Sequence, residues 1–391
     1  MKQTLHFTTL KKIAFLFKCS LWVRGFMCTI VEGEIKMKHI SIVFAFLLVF
    51  SLMQQPVFAH ASYRLNGIID VQKNGSVTFN CEDGRIYNLD ISDRAAKRHD
   101  GELVQIEAYA KDGLNLDTLK IKKIRKYEKR ILPSEVPYSD SRQFAKILDR
   151  KDSSYIVKNI RWARNKVSKT EDEYEYIWQT AKIDIDAVEK AFFVIKPFPP
   201  EWLAAHCLML FTFKDGGFID KDNNRSKGLV LSVEAYLRED QKYALLKGLR
   251  NNFGIIWSLA TWEGYAEQTC NNQKNGKLLA HEIKLDEVSV KALLKEALEQ
   301  ANKDRLGEFY HTTRNNCTNN LVLLLNKFAP KKIRPWSIPN IIYNVRATMP
   351  VMVPKRLEKL GVVGERLTEV NSENFFASPQ ELFYPSNSKK H

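Results

Sequence analysis

The stretch Tyr310-His311-Thr312-Thr313-Arg314-Asn315-Asn316-Cys317-Thr318-Asn319-Asn320 is polar and rich in capping residues, and Leu321-Val322-Leu323-Leu324-Leu325 follows it without a break. That switch predicts a helix with Asn315 or Asn316 as N-cap and an apolar body packed into a core. Cys317 then falls in the first turn, beside unpaired backbone N–H groups and the positive end of the helix dipole. Both favour thiolate over thiol, and the thiolate is the nucleophilic form. A buried structural thiol satisfies the same pattern, so the helix alone does not choose between the two.

The chain has 391 residues, enough for two domains and at least one sizeable core. Its hydrophobic content of 45% and charged content of 27% are those of a folded protein. The formal net charge is +15; residues 1–59 hold seven Lys/Arg against two Asp/Glu, which leaves +10 on the rest. A basic protein outside the cytoplasm suits anionic lipid head groups or acidic wall polymers. Nucleic acid is not an expected partner, because no zinc-finger spacing, RNP motif or basic recognition helix is present. Charge alone is equally satisfied by a solvated basic surface.

Residues 37–59 have the order of a signal peptide: Met37-Lys38-His39, an apolar run over 40–53, and Val57 and Ala59 before a cleavage point. The expected location is periplasmic or secreted. Residues 1–36 read as a probable non-native extension, with Met37 as the true start, because Lys18 and Arg24 interrupt their apolar stretch. No later segment is long and apolar enough to span a bilayer. Of six cysteines, Cys81, Cys207, Cys270 and Cys317 lie beyond this region. An oxidising compartment permits a Cys81–Cys270 bridge. No metal-ligand spacing and no cofactor motif stands out, so neither metal nor cofactor is expected.

Residues 62–127 read as short strands with turns at Lys73-Asn74-Gly75-Ser76, Glu82-Asp83-Gly84-Arg85 and Lys111-Asp112-Gly113, plus a short helix at 93–99. Five strands and one helix suggest a small OB-like β-barrel, here an accessory module. Residues 128–145 are a proline- and serine-bearing linker that follows a charge run at 125–130. Residues 146–370 form a second domain, and 371–391 a polar tail expected to fray. Within the second domain, strands are expected at 191–195, 206–213 and 228–236. An amphipathic helix over 288–302 places Val290, Leu293, Leu294, Ala297, Leu298 and Ala301 on one face. The fold class is α+β.

His206 opens an apolar strand, so its imidazole lies near a strand end. Alternation places Ser232, Glu234 and Tyr236 on one face of their strand, opposite Leu231, Val233 and Ala235. A thiol nucleophile needs a histidine to take its proton, and the histidine needs an orienting polar group. Cys317, His206 and Glu234 can fill these parts, with His311 as rival base. Alternative structural roles are a hydrogen-bonded His206, a Glu234–Arg238 pair and a core Cys207.

The motifs at 154–161, Ala205-His206 with its strand, Leu231-Ser232-Val233-Glu234-Ala235, Phe309-Tyr310 and Asn316-Cys317-Thr318, with Trp336-Ser337-Ile338-Pro339 and residues 350–361, resemble the Lnb N-terminal periplasmic domain family over about residues 150–365. That family resembles circularly permuted papain-like enzymes of the NlpC type, in which the histidine strand precedes the cysteine helix. The resemblance implies a permuted papain-like fold, with Cys317 as nucleophile, His206 as base and Glu234 orienting it or lining the site. Ser232, Tyr236, Arg238, Tyr310 and Asn316 are the candidates to bind substrate. Two departures concern the substrate: Tyr236 stands where the family usually has arginine after Glu-Ala, and the acidic and arginine-bearing stretch is only loosely matched at 261–268. The implied activity is acyl transfer through a Cys317 thioester, as in lipoprotein N-acylation, with lipid or lipoprotein as partner and a membrane surface nearby. The alternatives are a cell-wall amidase or peptidase acting on wall peptide, and a non-catalytic envelope-binding protein.

Overall fold

Strand alternation decides how the central sheet is used. In the computed structural model β9 (Val188–Pro197), β10 (Ala205–Phe213), β12 (Gly228–Tyr236) and β13 (Phe253–Thr261) lie side by side and antiparallel. Odd-numbered residues such as Cys207, Met209, Leu231, Val233 and Trp257 enter one core, while Val194, Leu208, Leu210 and Val230 enter a second core on the other face. Burial on both faces explains why β10 is an almost unbroken apolar run after His206.

The model describes residues 61–385 except 111–112, 128–136, 167–173, 200, 202–203, 240, 251, 272–274, 313–314, 331–332 and 334–352. All of these lie in one compact unit, Val57–His391. The extension at 1–36, the signal segment, the Trp336-Ser337-Ile338-Pro339 motif, most of the linker and the tail beyond 385 fall outside the described residues.

The first part comprises β1 (Ala61–Val71), β2 (Val77–Cys81), β3 (Ile86–Asp90), α1 (Asp93–Arg98), β4 (Leu103–Ala110) and β5 (Thr118–Lys126). Pairings run β1–β2, β2–β3, β3–β5, β5–β4 and β4–β1, returning to the first strand. Ala61, Tyr63, Leu65 and Ile69 point inward at period two and meet Phe79, Ile106 and Leu119 in a core of their own.

Beyond it, β6 (Lys146–Lys151), β7 (Ser154–Lys166), β8 (Tyr174–Asp184) and β11 (Phe218–Asp220) join the sheet where β7 runs parallel to β13. The other edge is β14 (Leu279–Ile283) and β16 (Val363–Arg366). The first core is covered by α3 (Glu287–Asn302) and α4 (Cys317–Leu325), with Leu357 of α5 (Val353–Lys359) joining it; the second is covered by α2 (Trp262–Cys270) and α6 (Pro379–Phe383). The Asp286 side chain caps α3 by accepting from the Ser289 N–H at 2.7 Å. The stripe from Val290 to Ala301 is buried as its spacing predicts, each large apolar side chain contributing about 2 kcal/mol. The chain is mixed α and β, with strand predominating.

Two expectations are corrected. Cys81 and Cys270 are both free thiols in separate cores, so that bridge does not form. Residues 371–385 dock rather than fray. A capping box of Ser378 and Glu381 with Pro379 in the first turn starts α6, and Phe383 packs 5.1 Å from Phe192 and 6.1 Å from Trp262, centroid to centroid.

The short strand β15 (Glu308–Tyr310) pairs with both β13 and β1 and thereby joins the two parts. Gly307 precedes it at φ +82°, where an added Cβ would lie 2.5 Å from Leu65 Cδ2. Glycine is needed there both for the backbone angle and for the approach of β1. Beside it Arg305 and Glu308 form an ion pair of 3.0 Å whose side chains have no exposed surface. Tyr63 Oη donates to Glu308 Oε2 at 2.9 Å and Asn315 Nδ2 to Oε1 at 2.8 Å. Arg305 also donates to Gln300 Oε1 and stacks on Trp257, 4.7 Å from a ring centroid. Removing one charge strands the other in the core. Glu308→Gln is expected to lower unfolding stability by about 3–5 kcal/mol in denaturant titration, and Arg305→Met with Glu308→Leu together to lose less than that. A loss below about 1 kcal/mol for Glu308→Gln, the range of an exposed pair, would contradict this account.

Candidate functional site

The register of β10 against β12 pairs Leu208 with Ser232, so His206, Ser232 and Glu234 share a face at the end of the strands. His206 Nε2 lies 2.6 Å from Ser232 Oγ, which donates to Glu234 Oε1 at 2.7 Å. Glu234 Oε2 accepts from Arg142 Nε. The expected Glu234–Arg238 pair is therefore replaced by Glu234–Arg142. Arg238 lies beyond the end of β12, its guanidinium 4.8 Å from the Tyr138 ring centroid.

Cys317 is the first residue of α4, and Asn316 is its N-cap. Asn316 Oδ1 accepts from the Asn319 N–H at 2.9 Å, while its Nδ2 donates to the Thr312 carbonyl at 2.5 Å. The loop before the helix is thus fixed at both ends of one side chain. Cys317 Sγ lies 3.9 Å from Thr318 Oγ1, and the Cys207 thiol and the His206 ring are the neighbours that act on its charge. Cys207 is a core residue, as read from its parity, but its thiol also receives the Thr318 hydroxyl at 3.3 Å.

These contacts set the charges. The Cys207 thiol, donating to the Cys317 sulfur, outweighs burial and together with His206 holds Cys317 well below its ordinary value near 9.0. Burial pushes Cys207 well above that value, so it remains the protonated donor of the pair. Burial would lower His206, but the Cys317 thiolate and then Glu234 raise it instead. Burial would raise Glu234; Arg142, His206 and Arg161 overrule this and keep its carboxyl well below the usual carboxylate range. These directions favour a thiolate and an imidazolium beside an ionised carboxylate.

Cys317 and His206 open onto a cavity of about 390 Å³, within the size range of small-molecule sites. Tyr310, Asn316 and Glu234 line it too, together with Arg142, Arg161, Lys196 and Tyr265. Phe198, Ala204, Ala205, Ala235 and Leu237 supply its apolar wall. Of the candidate substrate-binding residues, Tyr310 and Asn316 line the cavity, and Ser232 sits behind His206. Tyr236 and Arg238 do not line it. Tyr236 stacks on Tyr138 at 4.0 Å and meets Phe144 edge-on. His311 does not line the cavity either; its backbone pairs with that of Asn315.

Sequence reasoning missed Arg142, Lys196, Tyr265 and the placement of Arg161. Arg142 lies in the stretch read as linker, and no local pattern marks it. Arg161 did fall within a segment that carries the family resemblance, which was the available signal, whereas Tyr265 lies in the stretch 261–268 that matches the family only loosely.

The charge state has a direct reading. Alkylation of Cys317 by iodoacetamide is expected to follow a pH profile whose midpoint lies well below 9.0, since the reactive thiolate is lost only as pH falls through its lowered value. His206→Ala is expected to move that midpoint upward, and Cys207, Cys81 and Cys270 to stay unlabelled in the folded protein. A wild-type midpoint near 9.0 would rule out the activated pair.

No curated protein matches this chain, and no solved structure does. The model of the Lnb N-terminal periplasmic domain matches residues 174–346, a narrower span than the resemblance over 150–365. The match contains His206, Ser232, Glu234 and Cys317, while Arg142 and Arg161 precede it. Its periplasmic setting is accompanied by the observation that no helix among the described residues is long and apolar enough to cross a membrane. Over residues 174–346 the chain is therefore similar to the Lnb N-terminal periplasmic domain family.

Proposed function

We propose that the protein is an exported thiol acyltransferase that carries an acyl group on Cys317. The observation that carries this reading is the hydrogen-bonded chain His206–Ser232–Glu234 beside Cys317, with His206, Glu234 and Cys317 lining one partly apolar cavity. The thiolate attacks the ester carbonyl of a lipid, and a C–S bond forms. N–H groups of Cys317 and Thr318, which have no acceptor within a helix, stabilise the oxyanion. The imidazolium of His206 gives its proton to the departing alkoxide as the ester C–O bond breaks. An amine then attacks the thioester; His206 takes its proton, the C–N bond forms and the thiolate leaves. With Nε2 held by Ser232, Nδ1 is the nitrogen that exchanges this proton. Ser232 and Glu234 keep the ring oriented, as a third group does in other thiol and serine enzymes.

This reading includes a permuted papain-like arrangement, because β10 with its histidine precedes α4 with its cysteine. It also includes an OB-like barrel for residues 62–127, supported by the return of the strand pairings to β1. The barrel serves as an accessory module. A signal peptide at 37–59 accounts for export.

Incubation with phospholipid vesicles is expected to add the mass of one fatty acyl group at Cys317, released by hydroxylamine and absent in Cys317→Ala. The bound acyl group is expected to move to an added amine. His206→Ala is expected to slow acylation by about 10²–10⁴-fold. New free amines from purified cell wall, with no acyl adduct at Cys317, would assign the site to an amidase instead.

A further inference from the structure

Arg161 takes no part in the chemistry above, yet the fold turns it into the same cavity. The pairing of β7 with β8 slips on either side of it, between Val157 and Ile160 and between Arg161 and Ala163. Within the first slip Asn159 adopts φ +65°, and its Nδ2 donates to the Phe144 carbonyl at 2.8 Å. A left-handed non-glycine residue is uncommon, and bulges re-aim the side chains next to them. The backbone is bent at the place that sends Arg161 inward.

Little in the protein receives this guanidinium. Arg161 is 9% exposed. It makes one long hydrogen bond, 3.4 Å to the Ser141 carbonyl, and lies 5.8 Å and 6.0 Å from the ring centroids of Tyr265 and Tyr176. Guanidinium carries five N–H donors. Glu234 is nearby, but its hydrogen bonds among the described residues come from Ser232 and Arg142, and none joins it to Arg161. Among the described residues Arg161 has no ion pair. The cavity lining sets Arg142, Arg161 and Lys196 against a single carboxylate, Glu234. Arg161 thus lines the same cavity as Cys317.

We propose that Arg161 is the receptor for an oxyanion on the substrate, a phosphate or carboxylate bound in the cavity beside Cys317. The planar fork of arginine matches two oxygens of such a group. The proposal rests on reading Cys317 as the nucleophile of that cavity, and its test separates the two ideas.

Iodoacetate and iodoacetamide place the same carbon on sulfur, but only iodoacetate carries a carboxylate. The ratio of their rates at Cys317, read by mass spectrometry, is expected to exceed that of the unfolded chain by about tenfold, the effect of one charge-assisted hydrogen bond. Arg161→Gln is expected to return the ratio to the unfolded value, and Arg161→Lys to restore it in part. A wild-type ratio equal to that of the unfolded chain, or one that survives Arg161→Gln, overturns the proposal. Competition identifies the source of the anion. Protection from iodoacetate by inorganic phosphate and by dihexanoyl phosphatidylglycerol supports a small oxyanion as sufficient, and protection by the phospholipid alone supports a lipid head group. Equal protection by uncharged dihexanoylglycerol overturns the role of charge. Slow labelling of Cys317 by both reagents removes the nucleophile reading. The oxyanion site is then decided by Tm: a rise with inorganic phosphate that Arg161→Gln abolishes supports it, and equal response of the two proteins overturns it.

Discussion

Arg305 and Glu308 lie where three parts of the chain meet, and neither side chain has exposed surface. Two bare charges in such a place would be expelled by the cost of desolvation. They stay because the surroundings complete them. Glu308 accepts from Tyr63 on β1, from Arg305 and from Asn315, while Arg305 reaches Gln300 on α3 and covers a face of Trp257 on β13. A network of this kind tolerates one geometry only, since each misplaced donor leaves a charge uncompensated. It therefore fixes β15 between β1 and β13, and through Asn315 it fixes the loop that delivers Cys317. Asn320 Nδ2 continues the link by donating to Asn315 Oδ1 at 2.9 Å, which ties the second turn of α4 to the same anchor. The position of the nucleophile is in this sense set from outside the cavity.

Inside the cavity the charges sort into neutral groups and a remainder. Thiolate and imidazolium form one pair, and Glu234 with Arg142 forms another. The pairs are joined by Ser232, which faces the His206 ring on one side and donates to Glu234 on the other. A hydroxyl can do both because it carries a donor and lone pairs at one atom. Arg142 favours the ionised form of Glu234 and holds its carboxyl well below the usual carboxylate range, which makes it a weak base. In the proposed mechanism it keeps the imidazole oriented. Arg161, which has no ion pair among the described residues, is the remainder.

Much of this arrangement can be read in the sequence where local periodicity governs. The apolar parity of β10 and β12 places His206, Ser232 and Glu234 on one face, and the cap at Asn316 places Cys317 at a helix start. The stripe on α3 is visible for the same reason. What local pattern misses depends on contacts between distant elements. Arg142 lies in a proline- and serine-bearing stretch, and only the return of that stretch across the end of β12 gives it a partner in Glu234. Arg161 points inward because of bulges that leave no signature in composition. Cys207 is legible as core, but its meeting with Cys317 depends on which helix covers that face. The segment at 371–385 looks like a frayed tail because its apolar residues are interspersed with Ser, Asn, Glu and Pro in no regular period, yet Leu382 and Phe383 enter the second core and Phe375 and Ala377 pack against it.

Burial of the sulfur bears on the proposed reaction. Cys317 is 4% exposed, in a cavity whose apolar wall includes Phe198, Ala204, Ala205 and Leu237. If Cys317 carries an acyl group, that wall and the acyl chain limit the approach of water to the thioester, and exclusion of water slows hydrolysis of a reactive intermediate. An amine bound in the cavity would then compete better with water than it would at an exposed thiol. The burial of Arg161 acts in the same direction, since a charge pair shielded from solvent interacts far more strongly than one at the surface. Under the proposal, chemistry and selection draw on one physical condition, the burial of the charged groups they use.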